Sequence, residues 1–312
     1  MENKEDETEE LRLELGTITR LVVGGRTNKG DINPICELND TVYKQYTEAA
    51  MRLFHFSGDQ QIFMIAHSNY SDYQNLLLQY FKEYIEETPM DYPRVDNMIL
   101  NVNRYMLNYL SAVRTYLDHS ETNLKKCYGR KSQRFLRFKS ACSDAYDEHF
   151  PYRFLYELRN YAQHCGMPIS ALELHTESAP NSKGIHHALR ALINRDELLE
   201  NFDSWKASLK KEILRLPPKF DVNPYVADMM KCLRRINFIL LEDDLPELTR
   251  SATYIKQIEN LTKNMPGIPC IIKSKKDFSP KEGGPIEIEM IPVHLADVVT
   301  NINTKKTEKR LK

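Results

Sequence analysis

The sequence predicts a mainly α protein: a central helical bundle, a small α+β extension ahead of it and a β-hairpin behind it. Three observations point there. Glycine is scarce, 11 of 312 residues, while the helix formers Leu, Lys and Glu are common. Apolar residues recur at three- and four-residue spacing through several long windows, the period of an α-helix. Short runs rich in Val and Ile, the kind a strand uses, sit towards the two ends of the chain.

The elements follow in order. Residues 1–10 are a charged tail, and 11–24 (LRLELGTITRLVVG) carry alternating Leu, Ile and Val that suit a strand or a short helix. Gly24-Gly25 and Asn28-Lys29-Gly30-Asp31 mark a loop. A helix is expected from Asn39 to Phe56, a short strand over 61–67 (QIFMIAH), and a strong helix from Ser71 or Asp72 to Glu87. That helix would bury Tyr73, Leu76, Leu77, Tyr80, Phe81 and Tyr84.

The clearest amphipathic helix spans 95–126, with Ile99, Val102, Met106, Tyr109, Leu110, Val113 and Leu117 on one face. Gly129 breaks it. A second helix covers 132–149, and a third opens at Pro151 and stops near Gly166. A polar loop (175–186) precedes helices at 195–215, 225–242 and 246–263. The stretches 267–275 and 284–291 read as a hairpin, and the basic last residues, NTKKTEKRLK, as disordered. The domain boundaries drawn from this are 1–94, 95–245 and 246–312.

Charge and cysteine usage narrow the class. Lys plus Arg is 43 against 44 for Asp plus Glu, a formal net charge of −1, so total charge does not drive nucleic-acid binding. A local basic patch is still available. The six cysteines form no CxxC pair, which excludes a zinc ribbon or a thioredoxin-like motif and suggests reduced, mostly buried thiols. The acidic start MENKEDETEELRLEL lacks the features of a signal peptide, and no long apolar run suggests a membrane span. A cytoplasmic protein without membrane partners is the expectation.

The chemistry concentrates in PYRFLYELRNYAQHCG (151–166). On a helical wheel Phe154, Leu155, Leu158, Tyr161, Ala162 and Cys165 fall on one arc. Tyr156, Glu157, Arg159, Asn160, Gln163 and His164 fall on the other. Arg159 and His164 flank that polar strip, with Asn160 and Gln163 between them. Such a strip suits cleavage of RNA without metal. The attacking 2′-hydroxyl must lose a proton and the leaving 5′-oxygen must gain one, and imidazole can do either near neutrality. A guanidinium presents a planar donor fork to the charged phosphoryl oxygens. Asn160 would orient the imidazole or donate to phosphate. Two strips meeting across a two-fold axis would form one composite cleft.

Arg159-Asn160-Tyr161-Ala162-Gln163-His164 resembles the Arg-polar-x3-His motif of the HEPN superfamily, and its place on a late helix after 100–121 is similar too. The resemblance covers roughly residues 95–245 and implies a HEPN-like helical bundle. Many members are homodimeric, metal-independent ribonucleases of toxin–antitoxin, CRISPR-associated and phage-defence systems that leave a 2′,3′-cyclic phosphate. It implies Arg159 and His164 as catalytic, Asn160 as supporting and RNA as substrate. It further implies no cofactor, a homodimer through the motif helix, and an antitoxin or defence-system protein as partner. Some HEPN toxins carry a Tyr two residues after the His as a target for nucleotide transfer; here Gly166 stands there. The alternative is a non-catalytic HEPN-like module that binds nucleotide, RNA or a protein through the same strip.

Other features have plainer readings. His164 suits the end of a helix dipole, and Arg159 suits an ion pair with a neighbouring helix. His175 with His186-His187 lacks the usual metal-ligand spacing. Asp118-His119-Ser120-Glu121 and Asp144, Asp147, Glu148 and His149 read as solvated faces. The run 125–139 holds Lys125, Lys126, Arg130, Lys131, Arg134, Arg137 and Lys139, interleaved with Tyr128, Phe135 and Phe138. If it borders the strip, it could track an RNA backbone, joined by Gln163. Gly24-Gly25-Arg26 is no P-loop.

Overall fold

The computed structural model describes residues 20–27, 32–86, 90–178, 185–263, 267–274 and 286–310. It is mainly helical, with two small antiparallel sheets. The chain divides into two compact units. One combines residues 1–59 with 243–312, and the other holds residues 60–242. Helix α1 (Asp40–Glu86) belongs to the first unit up to Asp59 and to the second from Gln60.

In the first unit, β1 (Arg20–Arg26), β2 (Ile32–Glu37), β6 (Ile268–Ser274) and β7 (Glu287–Met290) form a sheet in the order β2-β1-β6-β7. The expected C-terminal hairpin is there, pairing Ile272 with Ile288. Gly24 and Gly25 belong to β1 rather than to a loop, because their backbones pair with β2 and β6. Gly267 is required before β6: its φ is +108°, and a Cβ there would lie 2.5 Å from the Arg26 carbonyl oxygen. Helices α8 (Leu245–Asn260) and α9 (Val293–Arg310) pack together in this unit. Helix α9 runs through most of the stretch expected to be disordered. The loop read at 28–31 lies outside the described residues.

The second unit holds the bundle. The expected strand at 61–67 is instead part of α1, which continues without a break to Glu86. Its buried Phe63, Ala66, Tyr73, Leu77 and Tyr80 keep helical spacing through that stretch. Helix α2 (Tyr92–Tyr128) runs back along α1: Phe63 meets Tyr116 at a ring distance of 5.4 Å, Tyr70 meets Tyr109 at 6.0 Å, and Arg94 pairs with Glu83 at 3.3 Å. Val102, Met106, Tyr109, Leu110, Val113 and Leu117 are all buried, as the spacing predicts.

Helices α3 (Gln133–Glu148), α4 (Phe150–His164) and α7 (Asn223–Glu242) complete the bundle. His149 closes α3 and opens α4, with Pro151 in the first turn of α4. The two ends of the expected polar loop at 175–186 are strand, and 179–184 lie outside the described residues: β3 (Ile169–Ser178) pairs with β4 (Ile185–Asn194), and β5 (Lys219–Asp221) joins β4. The region 195–215 is two short helices, α5 (Arg195–Glu200) and α6 (Ala207–Ile213), rather than one. Two hydrogen bonds fasten the start of β3, beyond the motif helix, to α2. Asn103 Nδ2 donates to the Ile169 carbonyl at 2.8 Å, and Ile169 N–H donates to Asn103 Oδ1 at 3.0 Å.

Candidate functional site

Helix α4 is oriented by its apolar arc. Phe154, Leu155 and Leu158 are fully buried, and Tyr161 and Ala162 nearly so. Cys165, expected on the same arc, is exposed because the helix ends at His164. Phe154 stacks near Trp205 and meets Phe220 and Tyr225 edge-on, so the helix cannot rotate without emptying an aromatic cluster. This burial fixes where the polar strip faces.

Gln163 and His164 are exposed at the C-terminal end of α4, while Arg159 and Asn160 are half-buried. The side chains of Arg159, Gln163 and His164 make no hydrogen bond or ion pair with any described residue. The expected competing role for Arg159, an ion pair to a neighbouring helix, is therefore not present among the described residues. Its Nε is buried and has no acceptor. A buried donor without a partner costs about 1–3 kcal/mol, so Nε is kept from water without a hydrogen bond in return.

Asn160 is held differently. Its Nδ2 donates to Glu157 Oε2 at 3.0 Å and makes no bond to His164. Glu157 is itself well fixed, with 12% side-chain exposure. Its Oε1 accepts from the Tyr146 hydroxyl at 3.0 Å and lies 3.4 Å from Lys206 Nζ. Lys206 Nζ also donates to Tyr146 Oη at 2.7 Å. Burial pushes the Tyr146 phenol up, which keeps it protonated and donating to Glu157. A carboxylate only accepts, so it dictates that Asn160 turns its NH₂ towards Glu157 and leaves its Oδ1 as the free group. A cavity of about 260 Å³ opens beside this network between α2, α3 and α4, with Tyr146, Tyr156 and Lys206 on its wall.

Lys139 of the basic run lines the same cavity as Tyr156, but the first half of the run does not border Arg159 and His164. Helix α4 passes α2 with Tyr156 under the Arg114 guanidinium, 4.8 Å from the ring centre, and the chain beyond its end reaches Asn103 at Ile169. Lys125 lies 22 residues beyond Asn103 on the same helix, about 33 Å along its axis. Lys125, Lys126, Arg130 and Lys131 therefore stand at the far end of α2. Arg134, expected to join them, has its Nη2 on the Leu240 carbonyl at 3.2 Å and its guanidinium over Tyr128.

Among the described residues no group of His, Cys, Asp and Glu is arranged to hold a metal ion. No described helix is long and apolar enough to cross a membrane. The cysteines are all free, but Cys127 and Cys165 are exposed, against the expectation of mostly buried thiols. No sequence motif marks a role for Glu157, Tyr146 or Lys206. Glu157 could have been found, since it lies three residues before Asn160 on the same face. Tyr146 and Lys206 reach it only through tertiary packing. The chain matches no protein-family model, no curated protein and no solved structure.

Proposed function

We propose that the protein is a metal-independent endoribonuclease of HEPN type, acting as a homodimer through the end of α4. The observation that carries this reading is the Arg159 guanidinium, whose Nε is buried with no acceptor. Together with the exposed His164 it offers a charge-assisted donor and a titratable imidazole that the described fold does not use. Phosphate is the ligand that matches a guanidinium fork.

In this mechanism an imidazole takes the proton of the 2′-hydroxyl, and the 2′-oxygen attacks the adjacent phosphorus. Arg159 donates to the non-bridging oxygens as negative charge builds there. The P–O5′ bond breaks and the 5′-oxygen receives a proton from an imidazolium. A 2′,3′-cyclic phosphate and a 5′-hydroxyl result. Each chain supplies one His164, so two copies supply the base and the acid. Asn160, with its amide turned by Glu157, offers Oδ1 as an acceptor, suited to an imidazole N–H or to the attacking hydroxyl. Defence against phage or control by an antitoxin is the biological setting that the motif's resemblance suggests.

One observation favours a second reading, a non-catalytic module binding RNA, nucleotide or protein through the same strip: Asn160 bonds to Glu157 and not to His164. The deciding experiment incubates purified protein with total RNA in EDTA and reads the product ends. Cyclic phosphate and 5′-hydroxyl ends are expected. Intact RNA, under conditions where the protein binds it as a dimer, supports the module instead.

A further inference from the structure

The cationic run 125–139 separates into two groups. Arg134, Arg137 and Lys139 are engaged within the bundle, on the Leu240 carbonyl, Glu242 and Glu121 respectively. Lys125, Lys126, Arg130 and Lys131 are exposed and make no ion pair or hydrogen bond through their side chains with any described residue. These four cluster at the corner between α2 and α3. Gly129, at φ +80°, closes α2 there, and the Ser132 side chain caps α3. The helix dipole accounts for Lys125 and Lys126, which lie in the last turn of α2. It does not account for Arg130 and Lys131, which lie past that end and ahead of the positive end of α3.

An aromatic ring sits inside this cluster. Tyr128 is half exposed, and Arg134 lies over its ring at 4.8 Å with Nη1 donating to the hydroxyl at 3.2 Å. The guanidinium holds the ring in one orientation. A fixed aromatic face among unpaired cations is the combination that binds a single nucleic-acid strand: charges along the phosphates and a ring for a base. A lipid surface fits less well, because the exposed large apolar side chains at this corner are only Tyr128 and Leu136 among the described residues.

We propose that Lys125, Lys126, Tyr128, Arg130 and Lys131 form a docking surface for single-stranded RNA, separate from the α4 strip. RNA as the ligand rests on the ribonuclease reading; the charge argument itself asks only for a chain of phosphates. The corner holds the strand at a distance from the strip, so it adds affinity without shaping the reacting phosphate.

The test is fluorescence anisotropy of a labelled single-stranded RNA with the full chain carrying His164→Ala, titrated from about 50 to about 200 mM salt. It is compared with the same chain carrying Lys125→Gln, Lys126→Gln, Arg130→Gln and Lys131→Gln in addition. Four phosphate contacts at about 0.7 each give a slope near −2.8 in log K against log salt, about a fiftyfold loss over that range. The fourfold variant should lose that slope and bind at least about tenfold more weakly at the low-salt end. The pair Arg130→Gln and Lys131→Gln, outside both helices, should remove about half the slope without touching a helix. Unchanged affinity and slope in both variants overturns the proposal, as does binding to phosphatidylserine vesicles but not to RNA. RNA binding that depends on the corner, in a wild-type protein that never cuts RNA, overturns the ribonuclease reading and leaves this surface standing.

Discussion

Asn160 Nδ2 donates to Glu157 Oε2 at 3.0 Å, one helical turn before the histidine it was expected to serve. Glu157 also accepts from Tyr146 and faces Lys206. Removing it strands two donors. Glu157→Ala should therefore cost about 1–3 kcal/mol in urea unfolding and should broaden or shift the side-chain amide signals of Asn160 by NMR. Unchanged stability together with unchanged Asn160 signals would show that the carboxylate does not hold the amide.

Arg153 and Glu212 form a bidentate ion pair at the N-terminal end of α4. Arg153 Nε donates to Glu212 Oε2 at 2.8 Å, and Nη2 pairs with Oε1. Nη1 donates to the carbonyls of Tyr146 and Asp147. The Arg153 hydrogen bond holds the Glu212 carboxyl below its ordinary range. A lowered folded-state value contributes stability that is fully present above the unfolded value, about 4.3, and is lost as pH falls through the folded one. Glu212→Gln should thus destabilise the protein by about 1–3 kcal/mol near neutrality. The gap to wild type should close in acid. A gap that stays constant down to the lowest pH at which the protein folds would contradict the assignment.

The two faces of α4 should respond in opposite ways. Leu158 is fully buried, so Leu158→Ala should cost about 2–5 kcal/mol. Arg159→Met removes a buried donor with no acceptor and should leave stability unchanged or raise it by up to about 1 kcal/mol. Thermal or urea unfolding of the two variants decides this. A loss of about 2 kcal/mol or more in Arg159→Met would mark the guanidinium as structural.

Thiol reactivity gives an independent check of the packing. Burial pushes the Cys142 thiol up to about 12, and Cys270 is fully buried. Cys127 and Cys165 are exposed. The thiolate is the reacting form, so iodoacetamide should label Cys127 and Cys165 in the native protein well before Cys142 and Cys270. Mass spectrometry showing Cys142 labelled as fast as Cys165 would contradict the packing of the Cys142 side of α3 against the bundle.

The bundle was legible because its signals are local. The spacing from Val102 to Leu117 marks the buried face of α2, and Gly129, Ser132 and Pro151 mark where helices stop and start. The core arc of α4 was readable on the same ground. Other features depend on neighbours. The stretch at Ile62 and Phe63 has an apolar run that suits a strand equally well, and its helical packing shows only in contacts with α2 such as Phe63 against Tyr116. His175 lies in a polar segment whose strand pairing with β4 no local period announces. The strip was visible as a list of side chains, but the tethering of Asn160 by Glu157, Tyr146 and Lys206 joins three elements. So does the distance from the strip to the basic corner, which is set by the length of α2 and the antiparallel course of α4.

The most direct measurement is cleavage of total RNA in EDTA by wild type and by His164→Ala, both confirmed folded by circular dichroism. His164 is exposed and unpartnered, so its loss should leave stability within about 0.5 kcal/mol. If the protein is the proposed ribonuclease, wild type produces fragments ending in 2′,3′-cyclic phosphate and the variant produces none above background. Equal cleavage by the two proteins, or none by either, contradicts that reading.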